Sequence, residues 1–436
     1  MAVHSCIDGF NMSLDTGSGI ATYGRNLLAS LNAIGVKTSV LWAPQGPIAK
    51  NPTMNEVAAA DLVRGGRKMK TSERWIYTWR AQWGLEATGV RRTGRIIRRQ
   101  LDDATDDIAT DWLCRDVFHT STRAFQRYGH MTPLSFEIRT DTPRPDVAHW
   151  TSTLPLYAKH CFNIHSVHDI IPLRMPFSTL ERKDKYFALL NAIARKSDHI
   201  IVVSESTKTD LMRFFSISES RITNTYQSVN PLYASAVDNE AAARMLEDVF
   251  GVPWKGYFLH YATVEPKKNL GRLVEAYVRS GSTTPLLIVG AQGWAHEPET
   301  ALLRAIEQYG ASADRIRQYG YLPTNVLADL VRGAKAALFP SLYEGFGLPV
   351  LEAMSAGTAV LTSNTGALIE VASDAALLVD PLSIESISKA LRALDNDVGM
   401  VDDLVARGVV QVDQFSPDRY QKRLHNLYNS LGLSTR

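Results

Sequence analysis

Short apolar segments alternate with amphipathic ones along most of this 436-residue chain, and they do so in two successive series. The first series predicts strands at Val3 to Ile7, Thr38 to Trp42, Asp146 to His149, Asn163 to Val167 and His199 to Val203. The second predicts them at Tyr257 to Tyr261, Pro285 to Val289, Ile316 to Tyr319, Ala336 to Phe339, Ala359 to Thr362 and Ala376 to Val379. Alternation of this kind builds parallel sheets covered by helices, so the chain is expected to be α/β, with two doubly wound domains. At roughly 100 to 200 residues per domain, the length leaves room for both.

The boundary is expected between Asn230 and Trp254, where Asn-Pro, a small-residue acidic helix and Val-Pro-Trp separate the two series. This gives a first domain over residues 1–235 and a second over 255–414. Residues 415–436 are expected to form a closing helix: Ser416-Pro417-Asp418 is a good helix start, and Tyr420, Leu424, Leu427, Tyr428 and Leu431 then share one face. Residues from about 51 to 144 lack clean alternation and are too long for a connection, so they read as an insertion within the first domain.

Lys and Arg number 47 against 45 Asp and Glu, and a net charge of +2 excludes a chain-wide polyelectrolyte that coats nucleic acid. The charge is unevenly placed. Between Arg64 and Arg99 eleven basic residues stand against two acidic ones, a net of +9 that leaves −7 on the remaining 400 residues. An acidic cluster of Asp102, Asp103, Asp106, Asp107 and Asp111 follows at once. Three cysteines, Cys6, Cys114 and Cys161, are too few and too irregular for a disulfide framework or a cysteine zinc site, which fits a reducing cytoplasm. The N-terminus lacks the basic start and apolar core of a secretory signal, and the longest candidate span, Ala353 to Ile369, is broken by Gly, Ser, Thr and Asn. The expected location is therefore cytoplasmic.

The richest chemical signal runs from Ala336 to Ala356. A strand leads into Glu344-Gly345-Phe346-Gly347-Leu348-Pro349-Val350-Leu351-Glu352, with Pro349 suited to a first helical turn and Gly357 to a helix end. The helix N-terminus exposes unpaired N–H groups, and the glycines let a ligand approach the backbone, a combination that binds phosphate. Glu344 and Glu352 flank it as acceptors suited to sugar or ribose hydroxyls. The alternative is a plain tight turn in which the carboxylates complement the helix dipole.

A Glu, seven residues and a second Glu in this setting resemble the signature of the retaining family 4 glycosyltransferases, which have two facing Rossmann-like domains, the GT-B fold. Thr263 to Leu270, Gly320-Tyr321-Leu322 and Ser363 to Pro381 agree, so the likeness covers Trp254 to Asn396. In the first domain it rests on Gly17 to Leu28, Val167 to Pro172 and Val202-Val203-Ser204. The second half is most similar to bacterial mannosyltransferases of surface polysaccharide assembly. The resemblance implies retaining, metal-independent transfer of a sugar from a nucleotide donor, with GDP-mannose the favoured co-substrate and no cofactor. The acceptor, a glycan or lipid-linked saccharide, would be bound by the first domain, and the closing helix would return to brace it.

By position the resemblance gives the donor sugar to Glu344, the ribose to Glu352, and the diphosphate to Lys268 and to the backbone of Gly345, Phe346, Gly347 and Leu348. An arginine that many members place six residues before this lysine is Ala262 here, so a second cation would have to come from elsewhere, from Lys267 or Arg272. His168 ends a buried strand at the edge where α/β sheets bind ligands, and it matches the histidine that supports the sugar in the transition state. Asp169 would bind or orient the acceptor. Gly17 and Gly19 allow close approach at the first helix; without the third glycine of a dinucleotide fingerprint they argue against an NAD-dependent dehydrogenase.

Trp75, Trp79 and Trp83 recur every fourth residue amid the arginines of the basic segment. On a helix they form one stripe, and two readings stand: an interfacial anchor on an anionic membrane through Arg64 to Arg99, or a packing stripe beside a solvated or oligomer-contacting face. No RNA-binding motif accompanies it. The histidines show no metal-ligand spacing, and no metal site is expected. Rival functions are a non-catalytic nucleotide-sugar-binding or assembly protein and a sugar phosphorylase or hydrolase, each on the same fold.

Overall fold

A computed structural model describes residues 3–13, 19–61, 69–96, 108, 110–138, 142–229, 233, 238–291, 293 and 315–433. Two sheets organise it. The first comprises β1 (His4–Asp8), β2 (Lys37–Trp42), β3 (Leu85–Arg91), β4 (Thr110–Leu113), β5 (Thr132–Phe136), β6 (Val147–Trp150), β7 (Leu156–Ala158), β8 (Phe162–Val167), β9 (His199–Val202) and β10 (Ile222–Asn224). Their order is β10-β9-β8-β6-β1-β2-β4-β3-β5-β7, parallel except where β3 meets β4. The second comprises β11 (Phe258–Tyr261), β12 (Leu286–Val289), β13 (Ile316–Tyr319), β14 (Ala336–Phe339), β15 (Ala359–Ser363) and β16 (Leu377–Val379), in the order β13-β12-β11-β14-β15-β16 and parallel throughout.

Both orders reverse beside the first strand of their series, between β1 and β6 and between β11 and β14. At such a reversal the loops leave the carboxyl ends of neighbouring strands on opposite faces, and a crevice opens. The central strands are buried along their whole length, which is why they read as unbroken apolar runs.

The stretch 51–144, in which no strand was expected, supplies β3, β4 and β5 to the first sheet and so extends it. Trp112 of β4 is fully buried against Phe136 of β5, with ring centres 4.8 Å apart. The buried Asp111 accepts from Trp42 Nε1 at 2.8 Å and pairs with Arg92, so one member each of the acidic and basic clusters is used inside the fold. Arg64, Arg67, Lys68, Arg98 and Arg99, with Asp102, Asp103, Asp106 and Asp107, lie outside the described residues. At the expected boundary, Leu246 and Phe250 pack into the core of the second sheet, where Arg317 donates to the Phe250 carbonyl at 2.6 Å.

The closing helix, Pro417–Ser430, is capped by Ser416 and turns Tyr420, Leu424, Leu427 and Tyr428 inward. They pack on the helix Gly19–Ala33, and the Tyr428 and Ser5 hydroxyls lie 3.4 Å apart across 423 residues of sequence. Replacing the fully buried Leu424 by Ala is expected to destabilise the fold by about 2–5 kcal/mol, the usual range for such truncations. A urea titration followed by circular dichroism reads this directly, and an unchanged midpoint would show that the helix does not brace the first sheet.

Candidate active site

In the second half, β14 ends at Phe339 and the chain turns through the glycine loop into the helix Leu348–Ser355. Gly347 takes φ +115°, a conformation side chains disfavour, and a Cβ there would lie 2.8 Å from Leu368 Cδ2. Gly345 meets a stricter limit: a Cβ would stand 2.4 Å from the His168 carbonyl oxygen and 2.8 Å from Asp169 Cβ. The loop of one sheet is thus pressed against the strand end of the other. Gly19, at the start of the first helix, faces Leu348 as well, its Cβ position 3.9 Å from Leu348 Cδ1. Gly17 lies outside the described residues.

Lys268 donates to Glu344 Oε1 at 2.6 Å, and both side chains are largely shielded from solvent. Burial alone would push the Glu344 carboxyl up; the charges of Lys268 and Lys267, with hydrogen bonds from Lys268 and Ser341, outweigh it and hold the group below the usual carboxylate range. Lys267 sits 3.6 Å from Glu265 and lines, with His168, Asp169, Glu181 and Tyr186, a cavity of about 400 Å³. Burial works against its charge, but Glu344, Asp169 and Glu265 together raise its pKa and keep it protonated. Arg272 is exposed and donates to Asn269 Oδ1, so of the two substitutes for the missing arginine it is Lys267 that faces the cleft.

Glu352 lies in the helix that follows the loop, where burial pushes its carboxyl up to about 7 against the opposing hydrogen bond of Tyr261. The Tyr261 hydroxyl proton goes to the Pro349 carbonyl at 2.8 Å, fixing the first turn of that helix. Phe346 turns its ring away into a buried aromatic group, 5.6 Å from Phe415 and 6.2 Å from Tyr226. Only its backbone is left to face a ligand.

In the first half, His168 Nε2 donates to the Thr151 carbonyl at 2.8 Å, and Tyr23 meets the ring edge-on. Burial lowers the imidazole pKa, so the ring is neutral near pH 7 with its proton committed to that carbonyl. It is placed as a fixed polar wall. Asp169 Oδ1 accepts from the Ile171 amide at 2.9 Å, which opens the short helix Ile171–Arg174.

Three supports have no local signature in the sequence. Asp8, at the carboxyl end of β1, accepts from the Thr151 amide and hydroxyl and so anchors the residue that orients His168; burial pushes its carboxyl up to about 6. Tyr343, the neighbour of Glu344, donates to Asp210 across the cleft, and Asp210 pairs with Arg174 at 3.3 Å. Glu370 accepts from the amides of Glu205 and Ser206 at 2.8 and 2.7 Å, capping a helix of the other half. Among the described residues, no group of three or more His, Cys, Asp and Glu side chains is placed to hold a metal ion.

The glycine loop of the second sheet meeting the His168 strand end of the first, with lysines on one side and a neutral histidine on the other, belongs to a GT-B architecture of two parallel-sheet halves. Over 99% of both chains it superposes on a sucrose-phosphate synthase from Thermosynechococcus elongatus, with a TM-score of 0.66 at 18% identity. Residues 253–408 match the family described as Glycosyl transferases group 1, and residues 106–231 match Glycosyltransferase Family 4. The chain carries both glycosyltransferase domains, and the resemblance read from its loop motifs is borne out. It is 34% identical over 203 residues to O-antigen chain mannosyltransferase B of Escherichia coli, which covers 45% of this chain and 52% of that one. It is 26% identical over 261 residues to O-antigen chain mannosyltransferase RfbU of Salmonella typhimurium, 58% of this chain and 67% of that one. The chain thus spans about half the length of the first of these relatives.

Because a Gly345 Cβ would collide with a backbone carbonyl, Gly345→Ala is expected to part the two sheets and cost about 1–3 kcal/mol, the usual penalty for overpacking. Thermal unfolding together with small-angle scattering checks it; a native midpoint and radius of gyration would disprove the contact.

Proposed function

We propose that the protein is a retaining, metal-independent glycosyltransferase that moves mannose from GDP-mannose to a glycan or lipid-linked saccharide in polysaccharide biosynthesis. The observation that carries this reading is the Lys268–Glu344 pair at 2.6 Å beside the helix N-terminus, set against the His168 strand end. Breaking the glycosidic bond leaves negative charge on the nucleoside diphosphate. Lys268, Lys267 and the amides at Gly347 and Leu348 are fixed positive ends aimed at where that charge develops. Glu344 accepts from the donor sugar and Glu352 from the ribose. His168, neutral and held by Thr151, lines the face of the sugar, and Asp169 orients the acceptor hydroxyl. Closure of the two halves excludes water, the competing acceptor.

Mannose is favoured because the O-antigen relatives are named mannosyltransferases. No cofactor is needed beyond the nucleotide sugar. A lipid-linked acceptor would bring a cytoplasmic enzyme to the inner membrane surface. Retention of His168, Lys268 and both glutamates argues against a non-catalytic role.

A panel of nucleotide sugars, assayed with and without saccharide acceptors, decides the matter. Acceptor-dependent release of GDP from GDP-mannose is expected; release indifferent to acceptor would indicate a hydrolase, and no turnover with any donor would falsify the proposal. Lys268→Ala is expected to reduce kcat on the order of 10²–10³-fold, the scale for removing one fixed electrostatic partner of a transition state. Near-wild-type turnover would remove Lys268 from the mechanism.

Glu352 also makes donor binding depend on pH. Its carboxyl sits at about 7, and the ionised form is the better acceptor for ribose hydroxyls, so donor affinity should rise as pH climbs through about 7. Calorimetric titration of GDP-mannose, whose sugar-capped diphosphate does not itself titrate across that range, should show the rise in wild type and a flat profile in Glu352→Gln. A slope of the same size in the variant would assign it to another group.

A further inference from the structure

We infer that the face formed by the helix Thr71–Arg80, the turn that follows it and the neighbouring helix Val117–Tyr128 docks on an anionic lipid bilayer. The inference deepens the proposed function, since it supplies the surface on which a lipid-linked acceptor would be met.

Four large apolar side chains stand out from this face. Trp75, Ile76, Trp79 and Trp83 are 53%, 57%, 54% and 60% exposed, whereas Trp42, Trp112 and Trp150 are buried. The packing reading of the tryptophan stripe therefore fails: the inner face of the helix is supplied by Thr78, with Ala81 just beyond its end. That face is fixed to the protein by Arg123 on Thr78 and Arg115 on Glu73, each at 3.5 Å. The indoles also contact one another and a neighbouring cation. Trp79 and Trp83 lie edge-to-face at 4.3 Å, and the Arg127 guanidinium sits 4.4 Å from the centre of the Trp75 ring.

Cations are interleaved with these rings. Lys70, Arg74, Arg80 and Arg127 are exposed around them, and Glu73, within the same helix, is drawn back by Arg115. Trp and Arg are common in protein–protein interfaces as well; what matches an anionic bilayer is the exposed positive set of Lys70, Arg74, Arg80 and Arg127 around the indoles, complementary to lipid phosphate. Indole and guanidinium side by side suit the headgroup layer, where the ring meets the acyl boundary and the cation meets phosphate. Among the described residues no helix is long and apolar enough to cross a membrane, so the contact would be a surface one.

The face also lies near the cleft. The helix Val117–Tyr128 starts just beyond the carboxyl end of β4, the sheet edge at which β1 also ends, and Phe10, which follows β1, packs on Phe118 with ring centres 5.2 Å apart. Docking through this face would hold the cleft edge of the first sheet close to the lipid surface.

The test is co-sedimentation of the full chain with phosphatidylcholine vesicles, with and without phosphatidylglycerol. The wild type is expected to sediment only when the anionic lipid is present, with a blue shift in tryptophan emission. Two multiple variants, Trp75→Ala/Trp79→Ala/Trp83→Ala and Arg74→Glu/Arg80→Glu, should each weaken binding at least about tenfold, since both signals are needed for stable attachment. Their turnover with a soluble acceptor should match wild type, which separates this inference from the transferase reading. Wild type that stays in the supernatant, variants that bind as wild type does, or a dimer in gel filtration that the tryptophan variant abolishes would each overturn it.

Discussion

The contact between Gly345 and the His168 carbonyl is the constraint on which the candidate site depends. A glycine loop from one sheet touches the strand end of the other with no room for a single added carbon. Glu344 stands beside that contact, and Tyr343, on its other side, is hydrogen-bonded to Asp210 of the first half. The carboxylate is therefore positioned by both halves at once. Glu370 adds a second tie by capping the helix Glu205–Phe215, using the N-terminal amides of one domain as the binding site for a carboxylate of the other. These polar ties lie beside the aromatic group of Tyr226, Phe346 and Phe415, so the two halves are joined by both hydrogen bonds and apolar packing.

Electrostatics divides the two sides. The second half brings positive charge, from Lys267, Lys268 and a helix N-terminus, and its carboxylates respond in opposite ways to burial. Glu344 remains ionised because the lysines outweigh desolvation; Glu352, beside Tyr261 and Tyr233, is pushed up by burial to about 7. A buried ion pair such as Lys268–Glu344 contributes little net stability, because desolvation offsets most of the attraction. Its worth lies in orientation: each partner holds the other at the cleft. The first half opposes this with a neutral histidine whose pKa is lowered by burial and whose proton is fixed on Thr151, itself anchored by Asp8.

What the sequence made legible follows from the range over which each signal acts. The buried strands β1, β8, β11 and β14 announce themselves as local apolar runs. Glu344, Gly345, Gly347 and Glu352 fall within nine residues, so their joint pattern can be seen without a fold. By contrast, Thr151 and Asp8 are 143 residues apart and Tyr343 and Asp210 are 133 apart; no local pattern links them. The strands β3, β4 and β5 escaped because polar residues such as Glu86, Thr88, Asp111 and Ser135 are mixed into the ladder, so none of them reads as an unbroken apolar run. Their segment read as an insertion for that reason. Phe346 shows a different limit, since motif position placed it at the ligand while its ring serves the interdomain aromatic group.

The basic segment shows the same division between local charge and tertiary use. Arg92 gives up its exposure to neutralise Asp111 beneath Trp42, a pairing that leaves no unpaired buried carboxylate at that point in the sheet. Arg74 and Arg80, a few residues from the exposed indoles, remain at the surface. A single net charge for the segment therefore overstates what is available outside the fold. What distinguishes the outer face is the alternation of cations with exposed tryptophans on a helix whose inner side is already pinned. Burying those indoles against the protein would require turning Thr78 and its partner Arg123 outward, and the backbone register of the helix forbids doing one without the other.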